Sequence, residues 1–295
     1  MKKILITGAY GQDGVLLSKI LIKNKYKVYG FVKKKTKSKK KNLSYFNIKN
    51  RNYSFVKNKL NQIKPDIIIH LGSSNPSFHK SFNKKNYLFN LKFTKKLIDY
   101  VTKNKHIKFI FPSTSQIFKT FNGKINENSK IKSSSYYTKF RIVSSNYLLK
   151  MKKKFKLNAS IIILFNHDSK FRNPRFLYPR LINAIKKKNY SFIKKIYSYN
   201  INGDFSHASD ICNGIYLLVK KNKNPDKIIF SSGKRTYVND IIRYFIPNIK
   251  NYFIYNKISN TKLNIGDNKK AIKMLNWKIK KSSLDAAKDI FKIKL

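Results

Sequence analysis

Three glycines near the start of the chain have the spacing of a phosphate-binding turn. Gly8, Gly11 and Gly14 follow an apolar run at residues 4–6 and precede residues 15–21, which are apolar at helical spacing. In such a unit, the first glycine permits a tight turn, the second lets the backbone approach a pyrophosphate, and the third lets the helix pack closely on the strand. The pattern predicts a dinucleotide site, with a purely structural glycine turn as the alternative. The other members of the predicted site are Tyr10, Gln12 and Asp13.

A second group of residues could transfer protons. Thr114 ends an apolar run, and Tyr137 lies four residues before Arg141 in a segment with helical spacing. Residues four apart share one face of a helix. A tyrosine hydroxyl can take a proton from a substrate hydroxyl when a nearby cation favours the phenolate. Tyr137 and Arg141 could form such a pair, and Tyr136 with Lys139, three residues apart and also on one face, is an alternative.

The segments around these residues alternate between apolar runs and helical spacing. Helical spacing occurs at residues 89–101 and 137–153. Apolar runs, which are typical of parallel strands buried on both faces, occur at residues 27–32, 66–72, 108–111 and 159–165. This alternation predicts the α/β fold class, with a Rossmann-type doubly wound parallel sheet.

The predicted sheet domain covers residues 1–165 and would bind the dinucleotide. After Asn166 the pattern becomes irregular, with shorter elements, prolines and scattered aromatic residues. We expect residues 166–295 to form mostly a smaller C-terminal α/β lobe that binds substrate. Segments around residues 204–232 are expected to return to the sheet domain.

The chain carries 66 basic and 12 acidic residues, for a formal net charge of +54. Clustered lysine and arginine would indicate a nucleic-acid partner, because such clusters release counterions from a phosphate backbone. Here the basic residues are nearly all lysine and are spread along the chain, with abundant asparagine and isoleucine, which is typical of compositional drift. We therefore expect no nucleic-acid partner, and binding to nucleic acid is an alternative that rests on charge alone. The charge favours an anionic ligand.

Several classes of protein are not expected from the composition. No window is long and apolar enough to span a bilayer, and no hydrophobic export segment precedes the first predicted strand. Cys212 is the only cysteine, and the five histidines lack the spacing of metal ligands. The sequence predicts a cytoplasmic protein without a membrane partner, a disulfide or a metal site.

Four segments that follow predicted strands resemble, in this order, motifs of one enzyme family. They are the glycine turn and residues 71–74, 112–116 and 164–169. The GDP-mannose 4,6-dehydratases, a group within the extended short-chain dehydrogenase/reductase family, have the motifs T-G-x-x-G-Q-D-G, S-T-S-E and L-F-N-H-E-S. This chain has T-G-A-Y-G-Q-D-G, S-T-S-Q and L-F-N-H-D-S. Residues 203–210 and 266–277 also resemble motifs of that group, so the resemblance covers nearly the whole chain.

The resemblance implies a nucleotide-sugar 4,6-dehydratase that converts GDP-mannose to GDP-4-keto-6-deoxymannose in deoxysugar biosynthesis. In that group, a hydride passes from carbon 4 to NADP, a base removes the proton of carbon 5, water leaves carbon 6, and the hydride returns there. The resemblance aligns the tyrosine of the group with Tyr137 and its lysine with Arg141, which favours this pair over Tyr136 and Lys139. It also implies a homo-oligomer. The candidate catalytic residues are Thr114, Gln116, Tyr137 and Arg141.

Two of these positions depart from the pattern of the group. Arg141 keeps a positive charge, but its planar fork is bulkier than an ammonium and would bind ribose hydroxyls differently. Gln116 replaces the glutamate base, and a neutral amide cannot abstract a proton. Glu127, the only glutamate, is interpreted as a loop residue rather than a replacement base. A nucleotide-sugar 4-reductase or 4-epimerase, and a catalytically impaired nucleotide-binding paralogue, are therefore alternatives.

The cofactor is predicted to be NADP rather than NAD. An NAD enzyme usually ends its second strand with an acidic residue that binds the ribose hydroxyls. Here Lys33 and Lys34 follow that strand, and we expect them near the 2′-phosphate of NADP. The other cofactor-binding positions that the resemblance implies are Leu71, Gly72, Ser73, Tyr137, Arg141, Asn166 and His167.

Recognition of the nucleotide sugar is expected to be altered. The group has arginines where this chain has Gly203 and Lys257, and an arginine fork grips a diphosphate better than a lysine does. The candidate substrate-binding residues are Ser74, Ser115, Asn166, Arg180 and Lys257.

Overall fold

A seven-stranded parallel sheet lies at the centre of the protein. The computed structural model describes residues 1–33, 38, 40–48, 53–76, 81–119, 123–249 and 264–293. The strands of the sheet are β1 (Lys3–Thr7), β2 (Lys27–Val32), β3 (Leu43–Asn47), β4 (Ile67–His70), β5 (Lys108–Thr114), β7 (Ala159–Leu164) and β11 (Lys227–Phe230). Their order across the sheet is β3, β2, β1, β4, β5, β7 and β11.

The order of the strands reverses between β1 and β4. β1 pairs with β2 on one side and with β4 on the other, and all neighbouring strands of the sheet are parallel. In an open sheet, a crevice forms beyond the carboxyl ends of the strands at such a reversal. Ile4, Leu5 and Ile6 are fully buried, as expected for a strand covered on both faces. The predicted α/β fold with a doubly wound parallel sheet is confirmed.

Helices cover both faces of the sheet. The helices of the described residues are α1 (Gln12–Lys23), α2 (Tyr53–Ile63), α3 (Lys84–Lys103), α4 (Tyr136–Phe155), α5 (Leu177–Lys186), α6 (Tyr190–Ser198), α7 (Ala208–Lys220), α8 (Val238–Phe245), α9 (Lys269–Leu275) and α10 (Ser283–Phe291). Leu5 shares one core with α2, α3 and α4, whereas Ile4 and Ile6 share another with α1, α7 and α9. Neighbouring strand residues point to opposite faces, so these two cores lie on opposite sides of the sheet.

A third core holds the C-terminal lobe together. It contains Leu181, Ile193, Ile241 and Ala287, which come from α5, α6, α8 and α10. The described residues also form the short strands β6 (Gly123–Ile125), β8 (Asn166–Asp168), β9 (Asn202–Gly203), β10 (Phe205–His207), β12 (Thr236–Tyr237) and β13 (Asn264–Gly266). These strands pair as β6 with β13, β8 with β10 and β9 with β12.

The chain crosses between the sheet and the lobe several times after residue 166. β11 lies at the edge of the sheet, and α7 and α9 pack on the same side of the sheet as α1. The indole nitrogen of Trp277 donates to the carbonyl oxygen of Asp210 at 2.8 Å, which ties the segment after α9 to α7. Within the part of the chain that the structure describes, no helix combines the length and apolar character needed to cross a bilayer.

Two elements of the sheet domain, β3 and α2, are absent from the sequence prediction. β3 lies at the edge of the sheet, and none of its residues is fully enclosed, so it lacks the apolar run of the inner strands. α2 buries only Val56, Leu60 and Ile63 fully, and its Phe55 is exposed. Both patterns are too weak to be recognised without their neighbours.

The fold requires glycine at position 14. A Cβ on Gly14 would lie 2.6 Å from the carbonyl oxygen of Gly8 and from the Cα of Ala9. We expect Gly14→Ala to lower the free energy of unfolding by about 1–3 kcal/mol, because main-chain atoms must move to accept the methyl group. Urea denaturation followed by circular dichroism measures this loss. Gly11→Ala is the matched control, since its Cβ would meet only the Gly8 oxygen at 3.3 Å; equal losses in the two variants would contradict the prediction.

Candidate functional site

Two adjoining cavities lie at the carboxyl ends of the sheet strands. The smaller, of about 440 Å³, lies beside the glycine turn, and the larger, of about 750 Å³, lies between the ends of β5 and β7, the start of α4 and the C-terminal lobe. A ligand can extend from one into the other, because the same residues border both. The shared residues are Asp13, Leu71, Asn75, Arg172 and Phe176.

The glycine turn forms a main-chain cradle on the smaller cavity. Gly8 has a φ of +70°, and a Cβ on it would lie 2.8 Å from the Cα of Gly72. Gly11 and Gly14 also line the cavity, at the N-terminus of α1. A helix N-terminus with an uncovered backbone favours an anion. The residues present therefore fit the pyrophosphate of a dinucleotide.

A buried hydrogen-bond network holds the loop after β4 against this cradle. The hydroxyl of Thr7 accepts from the main-chain N–H of Gly72 at 2.8 Å and lies 2.7 Å from Nδ1 of His70. Nε2 of His70 lies 3.0 Å from the hydroxyl of Thr94. Because the Thr7 hydroxyl already accepts from Gly72, its own hydrogen is free to go to His70. The carboxyl ends of β1 and β4 are thus joined by side chains as well as by the sheet.

Asp13 and His167, which are 154 positions apart, meet between the two cavities. Nε2 of His167 lies 3.1 Å from both carboxylate oxygens of Asp13. The side-chain amide of Gln12 donates to the carbonyl oxygen of His167 at 3.2 Å and accepts from the hydroxyl of Ser169 at 3.1 Å. These contacts tie the N-terminus of α1 to β8 and to Ser169, which follows it.

His167 carries a positive charge in this arrangement. Its Nδ1 lies 2.7 Å from the carbonyl oxygen of Phe165, and its Nε2 faces a carboxylate, so both ring nitrogens must donate. Burial alone would lower the pKa of His167, but the Asp13 carboxylate raises it above its usual value. Burial alone would raise the pKa of Asp13, but the charges of His167 and Arg172 hold it below its usual value. The two side chains form a buried ion pair.

The two tyrosine and cation pairs predicted from the sequence occupy different environments. Tyr137 and Arg141 are 9% and 3% exposed and line the larger cavity together with Thr114. Tyr136 is 44% exposed, and neither it nor Lys139 lines that cavity. A capping box at Ser135 starts α4 and sets this orientation.

The guanidinium of Arg141 binds protein acceptors. One terminal nitrogen donates to the carbonyl oxygen of Pro112 at 2.7 Å, and the other donates to the hydroxyl of Ser73 at 2.8 Å and to the amide oxygen of Asn75 at 3.1 Å. Its carbon lies 5.2 Å from the ring centroid of Tyr137. Among the described residues, no carboxylate forms an ion pair with this buried cation.

Gln116 lies at the exposed rim of the larger cavity, in the short 3-10 turn that follows Thr114. Glu127 lines neither cavity, and its carboxylate accepts from the main-chain N–H of Ile229 in β11 at 3.0 Å. Of the described residues that line the larger cavity, only Asp13 carries a carboxylate, and it is paired with His167. Among the described residues of its wall, the larger cavity therefore has no unpaired carboxylate.

Arginine is concentrated at the larger cavity. The chain has seven arginines among its 66 basic residues. Four of them line the larger cavity, and none of the described lysines does. The sequence prediction missed Arg172 and Arg175, although three arginines within nine residues of so lysine-rich a chain are a usable signal. The four arginines are Arg141, Arg172, Arg175 and Arg180.

The remaining predicted residues are distributed over the crevice. Lys33 lines the smaller cavity with Tyr10, Gln12, Leu71, Gly72 and Ser73, and Asn166, His167 and Arg180 line the larger one. Ser74 and Ser115 line neither, and the main-chain N–H of Ser74 faces Asn90 instead. Lys34 and Lys257 lie outside the described residues. Among the described residues, no group of histidine, cysteine or acidic side chains could hold a metal ion.

Sequence comparison relates the chain to one family. The NAD dependent epimerase/dehydratase family matches residues 4–233. GDP-mannose 4,6 dehydratase 1 of Arabidopsis thaliana is 23% identical over an alignment that covers 95% of this chain and 86% of the relative. The GDP-mannose 4,6 dehydratase of Dictyostelium discoideum is also 23% identical, with 98% and 94% covered.

Solved structures show the same fold. A dTDP-glucose 4,6-dehydratase from Bacillus anthracis, in complex with NAD, matches with a TM-score of 0.83 at 15% identity and covers 99% of this chain and 96% of its own. A UDP-glucuronic acid 4-epimerase from Bacillus cereus, in complex with UDP-glucuronic acid and NAD, matches with a TM-score of 0.81 at 20% identity and covers 98% of both chains. At these identities the likeness establishes the fold alone.

The ion pair between Asp13 and His167 predicts a pH-dependent stability. Protonation of His167 stabilises the fold fully below its usual pKa of 6.5, and this contribution is lost as the pH rises through the raised folded value. Ionisation of Asp13 stabilises the fold above its usual pKa of 3.8, and this contribution is lost as the pH falls through the lowered folded value. We expect Asp13→Asn to cost about 3 kcal/mol near pH 5 and less at pH 9, as measured by urea unfolding.

Asp289→Asn provides the control for this measurement. Asp289 lies 3.1 Å from Nε2 of His207, but its side chain is 35% exposed, and Nδ1 of His207 accepts from the main-chain N–H of Ser209. A smaller loss is expected there, because solvent screens an exposed carboxylate. A loss in Asp13→Asn that stayed constant from pH 5 to pH 9 would argue against the ion pair.

Proposed function

The chain belongs to the NAD dependent epimerase/dehydratase family, as its motifs predict, and from this premise we propose that it binds NADP and oxidises carbon 4 of a nucleotide sugar. GDP-mannose is the first candidate substrate. One observation carries the proposal: Thr114, Tyr137 and Arg141 line a cavity that is continuous with the glycine cradle. A hydroxyl of a sugar in the larger cavity would therefore meet a proton acceptor beside the dinucleotide site.

Each residue of the larger cavity has a different role in the proposed oxidation. When bound, NADP supplies the acceptor, and later the donor, of a hydride. The phenolic oxygen of Tyr137 takes the proton of the carbon 4 hydroxyl, and the hydroxyl of Thr114 hydrogen-bonds the same sugar oxygen. Arg141 holds a permanent positive charge beside the tyrosine ring. Asn166, Arg175 and Arg180 line the part of the cavity that would hold the rest of the nucleotide sugar.

The smaller cavity supports NADP over NAD. Lys33 lines it at the end of β2, and Asp13 is the only acidic residue among the described residues of its wall. Asp13 is engaged by His167, so no carboxylate is available for ribose hydroxyls. A cationic side chain at this position suits a 2′-phosphate.

The first candidate for the complete reaction is 4,6-dehydration of GDP-mannose. Relatives over most of the chain carry that name, and the arginines of the larger cavity suit a nucleotide diphosphate. The second candidate is a 4-reductase or 4-epimerase, and Gln116 is the observation that favours it. Elimination of water from carbon 6 needs a base for the carbon 5 proton, whereas oxidation at carbon 4 by NADP needs only Thr114, Tyr137 and Arg141.

A single assay separates these candidates. The protein is incubated with GDP-mannose and either NADP or NAD in D₂O, and the sugar nucleotides are analysed by mass spectrometry. Dehydration gives a product that has lost one water, and we expect more of it with NADP than with NAD. A 4-epimer, which has an unchanged mass and is separated from GDP-mannose by chromatography, would support the second candidate, as would reduction of a 4-keto sugar nucleotide when NADPH is supplied instead. Absence of any turnover with NADP bound would indicate an impaired paralogue.

The variant Gln116→Glu, which introduces the missing carboxylate base, gives the most direct test of dehydration. Gln116→Glu places a carboxylate at an exposed rim position, so it changes the chemistry without disturbing the core. We expect dehydration and deuterium incorporation at carbon 5 to rise at least about a hundredfold. Gln116→Asn is the matched control, because it keeps a neutral amide. If Gln116→Glu gains nothing over this control, the missing base is not what limits dehydration.

A further inference from the structure

The loop at residues 71–76, which follows β4, forms a wall of both cavities. Leu71, Gly72, Ser73 and Asn75 line the smaller cavity, and Leu71 and Asn75 also line the larger one. The loop has no helical or strand hydrogen bonds of its own. Its first tie to the sheet is the bond from the Gly72 N–H to Thr7. The position of its second half must therefore be set by side chains.

Arg141 makes the shortest of these side-chain contacts, beside the longer hydrogen bond from the Ser74 N–H to the amide oxygen of Asn90 at 3.4 Å. One terminal nitrogen of the guanidinium donates to both Ser73 and Asn75, and the hydroxyl of Ser73 donates to the amide oxygen of Asn75 at 2.9 Å. The other terminal nitrogen donates to Pro112 near the end of β5. The guanidinium thus bridges the loop, β5 and α4, which carries it.

The same contacts leave Arg141 little to offer a ligand. Both terminal nitrogens are engaged by protein acceptors, and Nε is buried without an acceptor among the described residues. The whole residue is 3% exposed. A lysine ammonium is a single point on a flexible stem and cannot donate in a planar fork to acceptors on two segments. The choice of arginine therefore matches a bridge between two parts of the protein rather than a contact with ribose hydroxyls.

We propose that Arg141 is a positioning residue that clamps the loop at residues 71–76 in the form that receives the dinucleotide, and that Ser73 and Asn75 are its partners in the clamp. This inference rests on the proposed function, because the wall that is clamped belongs to the proposed dinucleotide cavity. Arg141 would thus have two roles: its charge lies beside Tyr137, and its hydrogen bonds set the position of the loop that lines the cofactor site.

The test measures the loop and the ligand separately. Amide hydrogen exchange of residues 71–76 is followed in the ligand-free protein, and the affinity for NADPH is measured by titration of its fluorescence. The variants are Arg141→Lys, Asn75→Ala and the two combined. Lys150→Ala is the control, since Lys150 is exposed on the same helix and lines neither cavity.

Arg141→Lys is expected to speed exchange in the loop, and to weaken NADPH binding, about tenfold or more, because it removes hydrogen bonds from a charged donor. Asn75→Ala should change both quantities in the same direction by less. The combined variant should be no worse than Arg141→Lys, because both changes break one unit. The control should leave both quantities unchanged.

Other results would overturn the clamp. They are unchanged exchange in Arg141→Lys, tighter NADPH binding in that variant, or additive effects in the combined variant. If Arg141→Lys fails to fold, Asn75→Ala and Ser73→Ala still test the clamp, because the clamp requires faster amide exchange of residues 71–76 in both variants. A wild-type protein that does not bind NADPH would refute the proposed function, whereas the exchange of its ligand-free loop would still test the clamp.

Discussion

Main-chain contact between the glycine turn and the loop after β4 is the constraint on which the site depends. A Cβ on Gly8 would lie 2.8 Å from the Cα of Gly72, and a Cβ on Gly72 would lie 2.9 Å from the hydroxyl of Thr7. Because neither glycine has a side chain, the ends of β1 and β4 lie in main-chain contact, and the smaller cavity lies against this contact. The ion pair of Asp13 with His167 and the hydrogen bonds of Arg141 then connect it to the segments that line the larger cavity.

Features that depend on local sequence could be predicted, and features that depend on distant contacts could not. Buried strands such as residues 159–165 can be recognised in the sequence as apolar runs, and helical periodicity alone places Tyr137 and Arg141 on one face of a helix. The hydrogen bonds from Gln12 to His167 and Ser169 join segments that only the folded chain brings together. The motifs identified both segments but gave no reason for them to touch. β3 and α2 were missed because much of their burial depends on neighbouring elements.

The chemistry of the cavity divides between its floor and its rim. Tyr137 and Arg141 lie on the buried floor, where a substitution would disturb packing and hydrogen bonds that the fold uses. Gln116 lies at the exposed rim, where a carboxylate and an amide are equally compatible with the fold. In the proposed reaction, oxidation at carbon 4 moves a hydride from the carbon and a proton from its hydroxyl and uses the floor alone, whereas elimination needs the rim as well. Under that proposal, one solvent-facing side chain determines the product.

The distribution of arginine over this chain has a wider consequence. Lysine makes up most of the basic residues, whereas the larger cavity is lined by four of the seven arginines and, in the described part of the chain, by no lysine. Guanidinium groups differ from ammonium groups in direction and planarity, not in sign of charge. In a chain this rich in lysine, a cluster of arginines such as Arg172, Arg175 and Arg180 therefore marks a surface where the geometry of a cation matters more than its charge. For a sequence of this composition, the local ratio of arginine to lysine indicates where to look for a binding surface.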